Sequence, residues 1–482
     1  MSFLLSFFLS HKLVWSNRAK SDLAQMRRTL LTSSAGTIDS QHHFYYPWLK
    51  LGFKNAQSLA KRVSSYQGYA FALRYYAAGF HDEHISVEFP TAAADTVKRN
   101  WPGFFLHYNN NQLLVSGYRY PLHHAKLPQR EAQLISCNGK SAKELMLSRV
   151  FAYYGNPKLQ ADWVHYAPNL LVDQGNPFVS KLTQCVFKYH HHRFLYRLHW
   201  RVLPIKVKLS SVSWSYQPSF GVSTFARNRG VWVNIMTFSP KVKGAITHLK
   251  KLVRLSPGWR DKKYIVLDVR GNGGGNSGWG ELILKGIYGA QYFEWAQGQA
   301  HVHISQFWRV SKANYHYFIT SILPSIARQY GKSSFDYQVF LESANQMKQK
   351  LDHNQQGFVP QRQELSHYSA SVQKPQPLTH AKVLIVTDGR CGSSCLSFLD
   401  QAVNMPGVTL VGKESHAESI YSEFRLTMLH SGYAEFGIPM KVTYHRKRSN
   451  NQPYKPNIPY IGDINNTRLL KQWLVKEVLK DH

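Results

Sequence analysis

A serine-containing loop lies between an apolar strand pattern and a helical pattern, at Asp388-Gly-Arg-Cys-Gly-Ser-Ser-Cys395. A serine at a helix N-terminus gains from the positive end of the helix dipole, which favours an alkoxide or oxyanion there. If Ser393 is a nucleophile, the backbone N–H of Ser394 is available to the same site. The alternative is that one of these serines only caps the helix, a common role for serine. No Gly-x-Ser-x-Gly surrounds them, which excludes the nucleophile elbow of α/β-hydrolases.

A glycine-rich loop follows a second apolar strand pattern, at Asp268-Val-Arg-Gly-Asn-Gly-Gly-Gly275. Three consecutive glycines have no Cβ atoms, so their backbone N–H groups can approach a ligand closely. Asp268 and Arg270 could pair beneath the loop and fix its shape. The glycines at 273, 275 and 278 formally satisfy a dinucleotide-binding fingerprint, but polar residues separate them from the strand end, where that fingerprint should begin. A Walker loop is excluded because no Gly-Lys-Ser/Thr follows.

The pair of loops resembles the S41 family of serine peptidases, whose hallmark is an Asp-Leu-Arg-x-Asn-x-Gly-Gly loop followed, over a hundred residues later, by a serine loop. The family includes the tail-specific or C-terminal processing proteases, the tricorn core and the chlamydial protease-like activity factor. Three weaker features also fit. Residues 102–139 resemble the family's PDZ-like module, Phe80-His-Asp-Glu-His84 resembles an Asp-x-His segment, and Trp232–Phe238 resembles the strand that opens the catalytic core.

The resemblance implies a nucleophile and an oxyanion hole. Ser393 would be the nucleophile, and the N–H groups of Ser394 and Gly274 would stabilise the oxyanion. Such donors, preset where charge develops on the substrate carbonyl oxygen, are each worth ~3 kcal/mol of barrier. Asp268 and Arg270 would support the loop.

The resemblance implies one of two general bases. In the tail-specific branch the base is a lysine, but Glu418 occupies that position here and Lys413 is only nearby in sequence. The other branch uses a histidine, matched by His84, which a distant glutamate orients. Gln452 stands near the position expected for that glutamate, with Glu418 as the alternative. An amide can orient an imidazole but stabilises the imidazolium less than a carboxylate does.

The elements that position these loops indicate an α+β multidomain chain. Helical periodicity predicts an N-terminal helical domain over 17–96, after a candidate signal segment at 1–16. A strand-rich stretch over 97–170 fits the PDZ-like module. Alternating strands and helices predict that 171–482, with a core at about 225–466, forms an α/β catalytic domain of the ClpP/crotonase-like type. The polar stretch 345–380 is predicted to be a loop or insertion.

Composition limits the partners. The 482 residues carry 59 Lys and Arg against 27 Asp and Glu, a net charge of +32. This charge suits an anionic envelope surface or acidic polymers, but it is spread along the chain, and no nucleic-acid-binding motif is present. We therefore expect no specific nucleic-acid partner. The apolar run Ser2–Leu9 is either a weak export signal or a buried segment. The resemblance implies a periplasmic or cell-envelope location.

The four cysteines are too few for a disulfide scaffold. Cys391 and Cys395 are expected to be small packing residues, with a local disulfide as the alternative in an oxidising compartment. His190 and His192 would share one face of a strand, but the spacing reveals no third metal ligand. We expect neither a metal nor another cofactor.

The sequence therefore predicts a serine endopeptidase that cleaves polypeptides, with a PDZ-like module that binds extended peptide segments by strand addition. The alternative is a peptide-binding pseudo-peptidase of the cell envelope that has kept the fold and lost the catalytic groups. A polyanion-binding protein is the third possibility.

Overall fold

The computed structural model of the chain describes residues 2–90, 98–119, 127–204, 207, 209–214, 216–301, 304–362 and 373–480. Its α-helices are Ser2–Ser33, Tyr46–Ala60, Tyr66–Ala78, Ala142–Leu145, Gln160–Tyr166, Ser210–Ser213, Ala245–Leu255, Gly278–Tyr288, Ala290–His301, Lys312–Tyr317, Leu323–Tyr330, Phe335–Asp352, Ser394–Ala402 and Thr467–Trp473. Its 3₁₀ and π turns are Ala35–Thr37, Met146–Phe151, Ala167–Leu171, Ser256–Trp259, Phe318–Ile322 and Leu474–Val478.

The strands, numbered in chain order, are β1 Val87–Glu88, β2 Asn100–Trp101, β3 Phe104–Asn109, β4 Gln112–Arg119, β5 Gln133–Cys137, β6 Lys140–Ser141, β7 Gln184–Tyr189, β8 His192–Arg197, β9 Arg201–Val202, β10 Gly221–Phe225, β11 Gly230–Asn234, β12 Tyr264–Asp268, β13 Ser305–Arg309, β14 Phe358–Pro360, β15 Lys382–Thr387, β16 Val408–Gly412, β17 Tyr421–Met428, β18 Glu435–Tyr444 and β19 Ile458–Pro459. They form three sheets and one two-stranded pair.

The central sheet has the strand order β10-β11-β12-β15-β16-β19, and every pair except β10–β11 is parallel. Strand β12 is buried along its whole length, because both faces of the sheet are covered. One face packs against the helices Ala245–Leu255, Gly278–Tyr288 and Ser394–Ala402. The other face packs against the C-terminal helix Thr467–Trp473. The expected alternation of strand and helix is confirmed.

The strands β12 and β15 are neighbours, with Asp268 opposite Val386. Their carboxyl ends lie at the same edge of the sheet, so the glycine-rich loop after β12 and the serine loop after β15 leave the sheet side by side. In open α/β sheets this edge is where ligands bind.

A second sheet contains β1, β18, β13 and β14 in that order, with β17 paired to β18. Its inner face shares one core with the N-terminal helices, in which Tyr45 and Tyr76 pack with Tyr421 and Phe436. The predicted N-terminal helical domain over 17–96 packs its described helices against this sheet. Among the described residues, no helix combines the length and hydropathy needed to span a bilayer.

The third sheet is antiparallel, with the order β3-β4-β5-β7-β8 and β6 paired to β5. A disulfide joins Cys137 of β5 to Cys185 of β7. This sheet, called the β3–β8 module below, extends through β8. It therefore continues well beyond residue 170, where the predicted PDZ-like module ends, because β7 and β8 complete the sheet. The disulfide was not predicted, since the two cysteines are 48 residues apart in sequence.

Two local expectations were wrong. His190 and His191 form the tight turn between β7 and β8, with His190 at a φ of 51°, so the three histidines do not lie along one strand. The stretch predicted as a loop at 345–380 begins within the helix Phe335–Asp352 and includes β14. Residues 363–372 of that stretch lie outside the described residues.

Candidate active site

The glycine-rich loop (residues 268–275) and the serine loop (residues 388–393) are joined by hydrogen bonds. The N–H of Gly271 donates to Oδ1 of Asp388 at 3.0 Å. In the opposite direction, the N–H of Gly392 donates to the carbonyl of Asn272 at 3.3 Å. The two segments, more than a hundred residues apart in sequence, therefore form one continuous surface.

Each loop is braced by an aspartate and the arginine two positions later. Asp268 and Arg270 form a two-pronged ion pair, with Nη2 to Oδ2 at 2.6 Å and Nε to Oδ1 at 2.9 Å, and both side chains are fully buried. Asp388 and Arg390 form a related pair, in which Nη2 and Nε of Arg390 both donate to Oδ2 of Asp388, at 2.7 Å and 3.0 Å. Both guanidinium groups also lie over the ring of Tyr216. Bidentate pairs of this kind fix geometry as well as charge, so they hold the loops in shape.

Ser393 immediately precedes the helix Ser394–Ala402 in a strained backbone conformation, with φ 51° and ψ −129°. Few residues other than glycine adopt a positive φ, and such strain clusters at functional sites. The Ser393 side chain makes no capping hydrogen bond and no other hydrogen bond to a described residue. The hydroxyl of Ser394 donates to the carbonyl of Gly275 at 2.6 Å. Ser393 is at the N-cap position, but neither serine side chain caps the helix, which removes the simplest alternative to a chemical role.

Gly274 lies directly against the serine. A methyl group at Gly274 would be 2.6 Å from Cβ of Ser393 and 2.7 Å from the backbone nitrogen of Ser394, and its φ is 93°. Its own N–H, expected to be an oxyanion donor, donates to Oδ1 of Asn272 at 2.9 Å. The N–H of Gly275 donates to no described residue. Ser394 begins the helix, so its N–H has no partner within the helix.

His84 is paired with Asp82. Oδ1 of Asp82 lies 3.1 Å from Nδ1 of His84 and accepts its backbone N–H at 2.9 Å. Oδ2 of Asp82 accepts from the hydroxyl of Ser419 at 2.6 Å and from the hydroxyl of Tyr45. Burial alone would raise the pKa of this carboxyl, but these hydrogen bonds lower it, so Asp82 is a buried carboxylate.

The charge of Asp82 also sets the protonation of the histidine. Burial alone would lower the pKa of His84, but the hydrogen bond and charge of Asp82, with the charges of Glu83 and Glu418, raise it to about 9. At neutral pH in the free protein, His84 is therefore an imidazolium.

A different histidine, His416, lies beside the serine loop. A methyl group placed at Gly392 would lie within 4 Å of the His416 ring. The backbone N–H of His416 donates to the carbonyl of Cys391 at 3.1 Å. Its Nε2 is 3.2 Å from Oδ1 of Asp162, and its Nδ1 is 3.7 Å from a carboxylate oxygen of Glu83. Burial alone would lower the pKa of His416, but Asp162 and Glu83 raise it to about 9. His416 thus bridges three segments as a charged group.

The other candidates lie elsewhere. Gln452 is exposed, and its Oε1 accepts the N–H of Ser449 at 2.8 Å, so Asp82 rather than Gln452 holds the inner nitrogen of His84. Glu418 has a buried carboxylate oxygen without a hydrogen bond among the described residues, and it acts on His84 through its charge. Nζ of Lys413 donates to the carbonyl of Ile461 at 3.4 Å. Burial lowers the pKa of Lys413.

Two cavities adjoin these groups. One, of about 330 Å³, is lined by Asp82, Glu83, Asp162 and His416. The other, of about 800 Å³, separates the β3–β8 module from the central sheet and is lined by Lys413 among others. Within the described ranges, no group of three or more His, Cys, Asp or Glu side chains could hold a metal ion.

Asp82 is the residue that sequence analysis missed, although the Asp-x-His segment contained it. The spacing between the aspartate and the histidine was the sequence signal that could have identified it. In Asp82/His84, as in Asp268/Arg270 and Asp388/Arg390, a carboxylate stands two positions before a cationic side chain. Asp162 and His416 have no comparable signal, because 254 positions separate them.

A Gly274→Ala substitution should destabilise the protein by about 1–3 kcal/mol, because the new methyl group overlaps Ser393 and the backbone is left-handed there. Urea unfolding measures the free energy. Gly273→Ala is the matched control, since a methyl group at that position meets nothing within 4 Å, and we expect a change within about 0.5 kcal/mol. Equal effects of the two substitutions would contradict the contact described between the loops.

Stability should fall as pH rises from about 6.5 to 9. His84 and His416 bind protons more tightly in the folded chain, with pKa values of about 9, than in the unfolded chain. Their contribution to the free energy of unfolding is complete below pH 6.5 and is lost as the pH passes through 9. Urea unfolding across this range measures how steeply the free energy of unfolding falls with pH, and Asp82→Asn should make this fall less steep. The exposed Asp352→Asn should not alter it, and a parallel response of both variants would refute the assignment of the raised pKa to Asp82.

Comparison with known proteins identifies the fold. No protein-family model matches the sequence, and no curated protein matches it. Among solved structures, mature CPAF superposes with a TM-score of 0.60 at 11% identity, over 97% of this chain and 99% of that one. Mature CPAF complexed with lactacystin superposes with a TM-score of 0.59 at 11% identity, over 97% of this chain and 100% of that one. A CPAF mutant superposes with a TM-score of 0.57 at 12% identity, over 96% of this chain and 98% of that one. The fold implied by the sequence resemblance, that of the S41 serine peptidases, is confirmed.

Proposed function

We propose that this protein is a serine endopeptidase in which Ser393 is the nucleophile, His84 the general base and Asp82 the group that orients the base. The observation that carries the proposal is the contact between the two loops, which places an uncapped, strained serine against a glycine-rich backbone at a helix N-terminus. The fold shared with CPAF along nearly the whole chain supports it.

The proposed chemistry begins when the hydroxyl oxygen of Ser393 attacks the carbonyl carbon of a peptide bond. Nε2 of His84 accepts the hydroxyl proton and later delivers it to the leaving amine. Asp82 accepts from Nδ1–H throughout, which fixes the tautomer and stabilises the imidazolium that forms. Water then attacks the acyl-enzyme by the same sequence and releases the carboxylate product.

The tetrahedral oxyanion would accept hydrogen bonds from the N–H of Ser394 and from the glycine-rich loop. Gly274 lies against Ser394 but donates to Asn272 in the free chain, whereas the N–H of Gly275 donates to no described residue. Each donor at such a position contributes about 3 kcal/mol to the barrier reduction.

His84 is preferred to His416 as the base because its Nε2 makes no hydrogen bond or ion pair with a described residue and, once His84 is neutral, can accept a proton. Both nitrogens of His416 face carboxylates, at 3.2 Å and 3.7 Å. The Nε2 of His84 has no hydrogen bond to any described residue, and neither has the hydroxyl of Ser393. Catalytic hydrogen bonds are often long in free enzymes and shorten when substrate binds. A lysine base is not supported, since Lys413 lines the larger cavity.

Substrate and location follow from the same proposal. The β3–β8 module would bind an extended polypeptide segment by strand addition, in the manner of a PDZ domain. Two disulfides are present, Cys137–Cys185 and Cys391–Cys395. Because such bonds persist in oxidising compartments, they support an exported, periplasmic or envelope location. The net charge of +32 suits an anionic surface there.

A fluorophosphonate probe should label the protein, and Ser393→Ala should abolish labelling. Above pH 9, where His84 is neutral, His84→Ala should slow labelling by at least a hundredfold, because the base contributes about 10²–10⁴ in rate. The matched control is His192→Ala, an exposed histidine at the start of β8, and it should label at the parent rate. A folded parent protein that does not react would favour the alternative, a peptide-binding pseudo-peptidase.

Above pH 9, where His84 is neutral in the parent and in the variant alike, Asp82→Asn should slow labelling by at least tenfold, whereas Gln452→Ala should change it less than twofold. Asp82 accepts from the imidazole, and Gln452 is bonded to Ser449 instead. The labelling rates of the two variants, measured side by side, decide which residue orients the base. The reverse order of effects would restore Gln452 to that role.

The rate should rise with pH up to about 9, because His84 accepts a proton only when neutral. With a pKa of about 9, about one molecule in a hundred has a neutral His84 at pH 7. In a pH–rate profile of peptide cleavage, Asp82→Asn should lower the midpoint as well as the maximum. A parent midpoint near 6.5 would contradict the proposed effect of Asp82 on His84.

A further inference from the structure

The Cys391–Cys395 disulfide encloses the proposed nucleophile. It closes a ring of five residues, from the serine loop to the first turn of the following helix, with Gly392, Ser393 and Ser394 inside it. The sequence favoured packing cysteines here, and that expectation was wrong. Among the described residues, no free cysteine remains in the chain.

Both ends of the ring are anchored. Cys391 and Cys395 are 0% exposed and belong to the core beneath the central sheet. The N–H of Cys391 donates to the carbonyl of Asp388 at 3.0 Å, and its carbonyl accepts from His416 at 3.1 Å. The N–H of Cys395 donates to the carbonyl of Gly392 at 3.0 Å. With both ends fixed, the three residues between the sulfurs have little freedom left.

The residue with the strained backbone is the one that the ring constrains. Ser393 has φ 51° and ψ −129°, a conformation that persists only where the surroundings impose it. The hydrogen bond from Gly392 to Asn272 and the contact of Gly274 with Ser393 also depend on this turn. A covalent link across the turn is a direct way to impose it.

We infer that Cys391 and Cys395 are positioning residues, and that their disulfide is required to hold Ser393 in its reactive conformation. The inference rests on the proposed function and adds a condition to it. The chain is active only after these two thiols have been oxidised. In a reducing cytosol the two cysteines stay as thiols, the turn relaxes, and Ser393 reacts slowly. Activity then begins in an oxidising compartment.

The burial of both sulfurs makes the oxidised state durable. Thiol–disulfide exchange requires a thiolate to reach a sulfur atom, and neither sulfur is accessible in the folded chain. The compartment in which the chain folds therefore determines its activity, and later exposure of the folded protein to a mild reductant has little effect.

The second disulfide supplies the matched control. Cys137–Cys185 joins two strands of the β3–β8 sheet and belongs to a different core. Its removal eliminates a disulfide of the same chemistry without touching either loop of the site.

The test compares Cys391→Ala/Cys395→Ala with Cys137→Ala/Cys185→Ala by fluorophosphonate labelling rate and by thermal unfolding. We expect the first variant to label at least tenfold more slowly than the parent and the second to label at the parent rate, even where both lose thermal stability. Equal labelling of the first variant and the parent would overturn the inference.

A second measurement does not depend on the folding of that variant. The Cys137→Ala/Cys185→Ala protein is unfolded in a dithiol reductant, and one half is refolded in that reductant while the other half is refolded in glutathione disulfide instead. Oxidation converts the two thiols to the disulfide and one glutathione disulfide to two glutathione molecules. We expect at least a tenfold rise in the labelling rate on oxidation, and an unchanged rate would contradict the inference.

Failure of the proposed function gives a different result. In that case the oxidised parent, with both disulfides intact, does not label at all. Hydrogen exchange of the segment 389–396 then tests the positioning role alone. Exchange should be faster in Cys391→Ala/Cys395→Ala than in the parent, and equal exchange would refute that role.

Discussion

The structure of the site depends on the adjacency of two parallel strands whose carboxyl ends open at one edge of the central sheet. Because β12 and β15 are paired in register, with Asp268 opposite Val386, the loops that follow them start side by side. Two hydrogen bonds in opposite directions, Gly271 to Asp388 and Gly392 to Asn272, then join the loops. Without this adjacency, the glycine-rich loop could not present a backbone donor beside the hydroxyl of Ser393.

A single local device recurs around the site. An aspartate accepts the backbone N–H of the residue two positions later and also binds that residue's side chain. The three instances are Asp82 with His84, Asp268 with Arg270, and Asp388 with Arg390. In the loops the device shapes the backbone around a buried charge pair, and at His84 it orients an imidazole. The same short-range geometry thus serves both support and chemistry.

Sequence patterns were most informative where the constraint is local. The apolar runs at β12 and β15, and the glycine and serine loops after them, could be placed because a strand buried on both faces is a continuous apolar segment. The role of Asp82 was missed because the family resemblance directed attention to a distant residue, Gln452.

Long-range features were beyond sequence reasoning. The Cys137–Cys185 bridge and the Asp162–His416 pair join segments that only the folded chain brings together. The extent of the β3–β8 sheet was likewise set by pairing between β5 and β7, which no periodicity reports. Such contacts depend on tertiary packing, and a single sequence carries little record of it.

The most direct test of the central claim is a crystal structure of the protein after reaction with a fluorophosphonate. The phosphonyl group should be bonded to Oγ of Ser393. Its free oxygen should lie about 2.7–3.1 Å from the backbone nitrogen of Ser394 and from a nitrogen of the glycine-rich loop. A phosphonyl oxygen directed into solvent, or an adduct on a different residue, would contradict the account.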